Sequence, residues 1–251
     1  MRNEKEIRVV GTKRSGHHAI VYWLEAHFAK PILVNDCEPS TNPFDNAAQI
    51  RPPGTDLSLP KEGLIINYED RHLEDVFSAE AEEKNEAFVG PSGETYDVLV
   101  LRDAYNYVAS RMKLQDYWIR KVIPDIRTPV GQKYAIGLWK EHAREFLGQT
   151  SIRKKRVVNV SYNMWFRSEK YRRELSAKFG LEFTDAGRNT VKGVGESSFN
   201  RTAMNGRGSE MKVLDRYQEF MDDDVFKKVF DDDELRTLSH QIFPAIKPFG
   251  A

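Results

Sequence analysis

One cysteine, Cys37, in a chain of 251 residues leaves nothing to pair with in an intramolecular disulfide. It also rules out a thiolate-rich zinc or iron–sulfur centre. Neither sign of charge is in excess: 38 Lys+Arg balance 38 Asp+Glu, so the basic surplus of a general nucleic-acid binder is missing. No apolar run approaches the roughly 18–20 residues of a membrane helix. The opening MRNEKEIRVV enters a strand-like run without the apolar core of a signal peptide, so a cytoplasmic, reducing compartment is expected. What is present describes a soluble globular chain: 40% hydrophobic, 30% charged and 11% aromatic residues. The length fits a single domain over residues 1–251.

Five short runs rich in Val, Ile and Leu read as buried strands: Ile7–Val10, Ile32–Val34, Leu64–Ile66, Val98–Leu101 and Val157–Val160. Helical spacing is read in His17–Ala29, Tyr105–Met112, Tyr134–Leu147 and Glu169–Phe179. Strands alternating with helices predict an α/β fold, three layers deep, around a mostly parallel sheet. The proline-rich Glu38–Lys61 and the Gly/Asn/Ser/Thr-rich Thr184–Gly208 read as long loops. Glu80–Glu86 reads as a solvated helix end or loop, and the two DDD runs at 222–224 and 231–233 as acidic helix starts.

The strongest local signal is VVGTKRSGHHAIVYWL at 9–24, where a strand meets Gly11, four residues, Gly16 and then a helix. Backbone N–H groups and the helix N-terminus of such a loop point at an anion. His17 and His18 stand where a nucleoside triphosphatase would carry Lys and Ser/Thr, so the hydroxyl that would hold Mg²⁺ is missing. Positive charge comes earlier, on Lys13 and Arg14. Adjacent imidazoles on a helix are expected to diverge, and no third ligand is evident, so no metal site is expected at His17–His18.

The second signal is DVLVLRDAYNYVASRM at 97–112, in which a strand ends at Arg102 and Ser110 follows eight positions on. Arginine suits bidentate phosphate binding, and strand C-terminal ends are where parallel sheets take ligands. Read alone, Arg102 could equally sit in a surface ion pair.

Taken together, the two motifs resemble the sulfotransferases that use 3′-phosphoadenosine 5′-phosphosulfate (PAPS) as co-substrate and release PAP. The resemblance runs from about residue 7 to 180 and implies a P-loop-type sulfotransferase fold. It implies that Lys13, Arg14, Ser15, Gly16, His17 and His18 hold the 5′-phosphosulfate, and that Arg102 and Ser110 grip the 3′-phosphate. It also implies that Tyr162, after the strand Val157–Val160, lies near the adenine. Paired hydroxyls usual after Ser-Gly in the family are replaced here by His17 and His18. For the basic loop that closes the nucleotide site, Lys192-Gly193 and Arg207-Gly208 with Lys212, followed by Arg216-Tyr217, are the candidates, and spacing does not choose between them.

Sulfuryl transfer builds negative charge on the departing phosphate oxygen, so Arg14 and the loop amides are expected to stabilise it, without a metal. The attacking hydroxyl or amine needs a base. GLIINYEDRHLED at 63–75 offers Glu69, Asp70 and His72, with the strand expected to end near Asn67, and His18 is a further candidate. Glu69 is expected to point into the cleft, its pKa raised by burial and tuned back by Arg14 or Lys13. The alternative for Glu69 or Asp70 is to cap a helix beginning near Arg71. Two other functions remain open: a non-catalytic nucleotide-binding module and a kinase-like phosphotransferase. Tyr117, Trp118, Trp139 and Trp165 are either core or pocket wall. The acceptor is expected to be a small molecule or carbohydrate, and the sequence sets no oligomeric state.

Overall fold

The computed structural model describes residues 2–45, 49–114, 124–191, 203–246 and 248–249. Its centre is a sheet in which β1 (Asn3–Gly11) lies between β4 (Lys61–Glu69) and β5 (Ser92–Leu101), both parallel to it. β2 (Pro31–Val34) extends the sheet beyond β4, and β6 (Val158–Ser161) extends it beyond β5. The five apolar runs fall in these strands except for the exposed Val157, which precedes β6. A sixth, β3 (Ile50–Arg51), pairs antiparallel with β2 at the edge and completes the order β3-β2-β4-β1-β5-β6.

Layers on both faces explain why the strands read as continuous apolar runs. In β1, Ile7 and Val9 face one cluster and Val10 the other; in β5, Val98 and Val100 oppose Leu99. The first face is covered by α1 (His17–Glu25), and by the helices Tyr162–Arg167 and Glu169–Lys178, through Trp23, Trp165, Leu175 and Phe179. The second is covered by α2 (Leu73–Phe77) and α3 (Ala79–Val89). Beside them, α4 (Ala104–Met112) packs with the helices Pro129–Phe146, Asp224–Val229 and Asp233–Ile242. Trp139 and Trp165 are buried core residues, whereas Tyr117, Trp118 and the Lys192-Gly193 pair lie outside the described residues.

Several boundaries differ from expectation for local reasons. Glu80–Glu86 is the middle of α3, an 11-residue helix capped by the Ser78 hydroxyl, with Ala81 and Val89 its buried residues. The Glu38–Lys61 segment is not all loop, since it contains β3. Each acidic tail run caps its helix with its middle residue: Asp223 accepts from the N–H groups of Val225 and Phe226, and Asp232 from that of Leu235.

Candidate phosphate-binding site

Parallel register builds the site. Gly11 at the end of β1 is level with Glu69 on β4 and Val100 on β5, so three strands finish along one edge. The strand therefore runs two residues beyond Asn67, and Glu69 is its last residue rather than a helix cap. Neither Glu69 nor Asp70 caps α2; His72 occupies that position.

The loop from Gly11 to Gly16 is bent by two left-handed residues, Arg14 (φ 79°) and Gly16 (φ 84°). Gly16 tolerates this conformation without strain, and no other residue would fit. A Cβ there would lie 2.4 Å from the Tyr162 ring. The loop is tied down from β4: Lys13 N–H donates to Asp70 Oδ1 (2.6 Å), and Asp70 N–H donates to the Gly11 carbonyl (3.1 Å). Arg111 grips both Asp70 carboxylate oxygens at 2.6 Å, both residues being buried. The Tyr134 hydroxyl donates to the Asp70 carbonyl (3.0 Å).

On the β5 side, Arg102 is 1% exposed. Its guanidinium donates to the Arg14 carbonyl (3.3 Å) and to the Val213 carbonyl, and lies 5.4 Å from the Tyr162 ring centre. Arg102 Nε is buried without a hydrogen-bond partner. It is therefore not a surface ion-pair residue. Arg14 Nε approaches the buried Ser110 hydroxyl at 3.5 Å. Arg216 joins them: burial first, then the Arg102 and Arg14 charges, push its pKa down to about 9. Burial also lowers that of Arg102. Three buried or loop-anchored guanidinium groups thus crowd one place, where a polyanion would neutralise them.

The structure brings together Arg14, Ser15, Gly16, His17, His18, Glu69, Arg102, Ser110 and Tyr162. Lys13 Nζ is turned to Asp36 (3.0 Å) on the side of a polar recess of about 430 Å³ that Asp70, Arg71 and Tyr134 also line. His72 is 57% exposed and pairs with Glu141 (2.6 Å). Arg207 is a surface residue 3.6 Å from Glu210, and Gly208 packs against Arg188 and Asn189. Of the basic candidates named for the C-terminal third, the one delivered to Arg102 is Arg216, a choice that motif spacing did not make.

One expectation is reversed. His17 and His18 do not diverge: Nε2 of His18 lies 2.6 Å, and Nε2 of His17 3.0 Å, from Glu69 Oε1. Successive helix residues point about 100° apart, and the end of β4 lies between those two directions. Ser15 Oγ lies 3.2 Å from His17 Nδ1. Burial would raise the Glu69 pKa, but the neighbouring His18 and His17 outweigh it and hold the carboxyl well below the usual range. The tuning comes from imidazoles, not from Arg14 or Lys13.

No protein-family model and no curated protein matches the chain. Among solved structures, it is similar to the crystal structure of a mouse sulfotransferase complexed with PAP, with a TM-score of 0.52 and 13% identity. The match covers 95% of this chain and 85% of that one. The chain therefore has a three-layer α/β/α fold with a mostly parallel mixed sheet, of P-loop-type sulfotransferase-like topology. Among the described residues, no helix is long and apolar enough to cross a membrane.

Proposed function

We propose that the protein is a sulfotransferase that takes PAPS as donor and a hydroxyl or amine as acceptor. The observation that carries this reading is the buried arginine cluster, with Arg102 Nε still short of an acceptor, beside a glycine-hinged loop at the strand C-terminal edge. Arg102, Arg216 and Ser110 suit a 3′-phosphate, and Arg14 with the first-turn N–H groups of α1 suits the 5′-phosphosulfate. PAPS supplies an activated sulfuryl group. Arg14 and the loop amides then stabilise charge on the phosphate that is left.

The base in this reading is His18, which corrects the preference for Glu69. A carboxylate held below its usual pKa is a weak base, and Glu69 is 6% exposed. His18 is partly exposed and donates Nε2–H to Glu69, which leaves Nδ1 as the basic nitrogen. Glu69 is then a positioning residue. His72, paired with Glu141 at the surface, has no part in it.

Thermal shift in the presence of EDTA is the first test: PAP should stabilise the protein well beyond adenosine 5′-phosphate. Stabilisation by ATP–Mg²⁺ alone would favour a phosphotransferase. Transfer from labelled PAPS across hydroxyl and amine acceptors is the second. PAP binding with no turnover on any acceptor would favour a non-catalytic module. His18→Asn should lower turnover on the order of 10²–10⁴-fold with PAP affinity kept.

A further inference from the structure

The convergence of His17, His18 and Glu69 carries more than a proton-transfer pair. Their ligand atoms all lie within 4.8 Å of one another. His17 is 2% exposed, and its Nε2 is buried without a hydrogen-bond partner although Glu69 Oε1 is 3.0 Å away. The other ring nitrogen, Nδ1, is at hydrogen-bond distance from Ser15 Oγ. In the tautomer that places Nδ1–H against Ser15, Nε2 presents a lone pair towards a carboxylate oxygen, and that is the form that accepts a cation. Two lone pairs at that distance repel unless a cation lies between them.

We propose that His17 Nε2, His18 Nε2 and Glu69 form a binding site for a late first-row divalent ion of the zinc class. Two imidazoles and one carboxylate match zinc or cobalt better than magnesium, which prefers oxygen ligands. Metal–ligand bonds of about 2.0–2.1 Å set tetrahedral ligands roughly 3.3 Å apart. The 2.6 and 3.0 Å separations open by about 0.7 and 0.3 Å to reach this, and all three ligand atoms already lie within 4.8 Å of one another. The surroundings already orient the ligands: Ser15 holds the His17 ring, and Asn67 Nδ2 donates to Glu69 Oε1 (3.2 Å). His18, 27% exposed, gives the ion a way in and leaves room for a fourth ligand.

This site goes beyond the sulfotransferase reading and is measured without it. A bound ion would occupy His18 Nε2 and Glu69, and so would compete with the proton-transfer pair; added Zn²⁺ is then an inhibitor of transfer. The test is titration of EDTA-treated, dialysed protein with Zn²⁺ by calorimetry and with Co²⁺ by visible absorption. One ion per chain is expected, with the absorption of tetrahedral or five-coordinate cobalt. His17→Asn and Glu69→Gln should each weaken binding at least about tenfold, by loss of a direct ligand. His72→Asn and Cys37→Ser should leave it unchanged. His18→Asn, at a partly exposed position, should weaken it similarly and decides the matter if the buried variants fail to fold by circular dichroism. No saturable binding, or binding that survives His18→Asn, or loss in His72→Asn, would overturn the proposal.

Discussion

Replacing Arg102 by alanine separates phosphate recognition from structural support. The side chain is 1% exposed and donates to the carbonyls of Arg14 and Val213. Both acceptors lose a partner in Arg102→Ala, at about 1–3 kcal/mol each. Part of this is offset, because Arg102 also burdens Arg216 with a like charge. A net loss of stability is expected, so affinity for one nucleotide alone would be ambiguous. The informative quantity is a ratio: Kd for PAP against Kd for adenosine 5′-phosphate, in wild type and variant, by calorimetry below the melting range. Loss of a charge-assisted contact is worth about 1.5–3 kcal/mol. The ratio should therefore move by roughly 10–150-fold, since about 1.4 kcal/mol is a factor of ten. A general loosening of the loop would weaken both nucleotides together. Equal losses would show that Arg102 does not read the 3′-phosphate, and would remove the main support for a PAPS site.

Three further outcomes follow from the same geometry. Gly16→Ala places a Cβ 2.4 Å from the Tyr162 ring at a φ of 84°. The left-handed backbone alone costs about 1–2 kcal/mol, and the clash adds to it. A lower urea midpoint together with weaker PAP binding is expected; an unchanged midpoint would show that the hinge is not needed. Asp70→Asn leaves the buried Arg111 charge without its ion-pair partner, a loss of about 3–5 kcal/mol, read in the same denaturation experiment. A loss under about 1 kcal/mol would refute the clamp. Glu69 has a folded pKa below its unfolded value, so the stability it contributes is present above the ordinary carboxylate range and is lost as pH falls through the folded value. Melting temperature should fall more steeply with acid in wild type than in Glu69→Gln, and parallel profiles would refute the assignment.

The strands were legible because burial on both faces turns them into contiguous Val/Ile/Leu runs, and all five runs lie in the sheet apart from the exposed Val157. β3 was not, since two residues among prolines carry no periodicity. α3 was not, because AEAEEKNEAFV buries little apolar surface and is held also by polar contacts, Glu82 to Arg8 and Lys155 and Asn85 to Glu6. At the site, Arg14, Arg102 and Ser110 were readable from motif order and do meet. The shared contact of His17 and His18 with Glu69 was hidden, because it depends on the β1–β4 register that levels Gly11 with Glu69. Arg216 was named among several basic candidates, and its place beside Arg102 was hidden for a related reason. Its neighbourhood is fixed by Asn106 of α4, whose amide donates to the Leu214 carbonyl and accepts from Tyr217 N–H. Contacts of that kind between distant segments leave no periodic trace.

The arginine cluster also sets a tension between stability and binding that can be measured at Arg216. Its charge is 7% exposed and is opposed by Arg102 and Arg14, which with burial push it down to about 9. A guanidinium does not readily give up its proton, so the opposition is carried as strain on the unliganded fold. Removing a guanidinium that burial and two like charges oppose relieves the unliganded fold of that cost. Arg216→Met should therefore melt at or above the wild-type temperature when no anion is present. A ligand that binds only the folded state raises stability in proportion to the logarithm of its concentration over Kd. PAP should thus raise the wild-type melting temperature strongly and that of Arg216→Met weakly, so that the order of the two proteins reverses as ligand is added. A variant less stable than wild type without anion, yet equally responsive to PAP, would mean that Arg216 supports the fold and takes no part in holding the nucleotide.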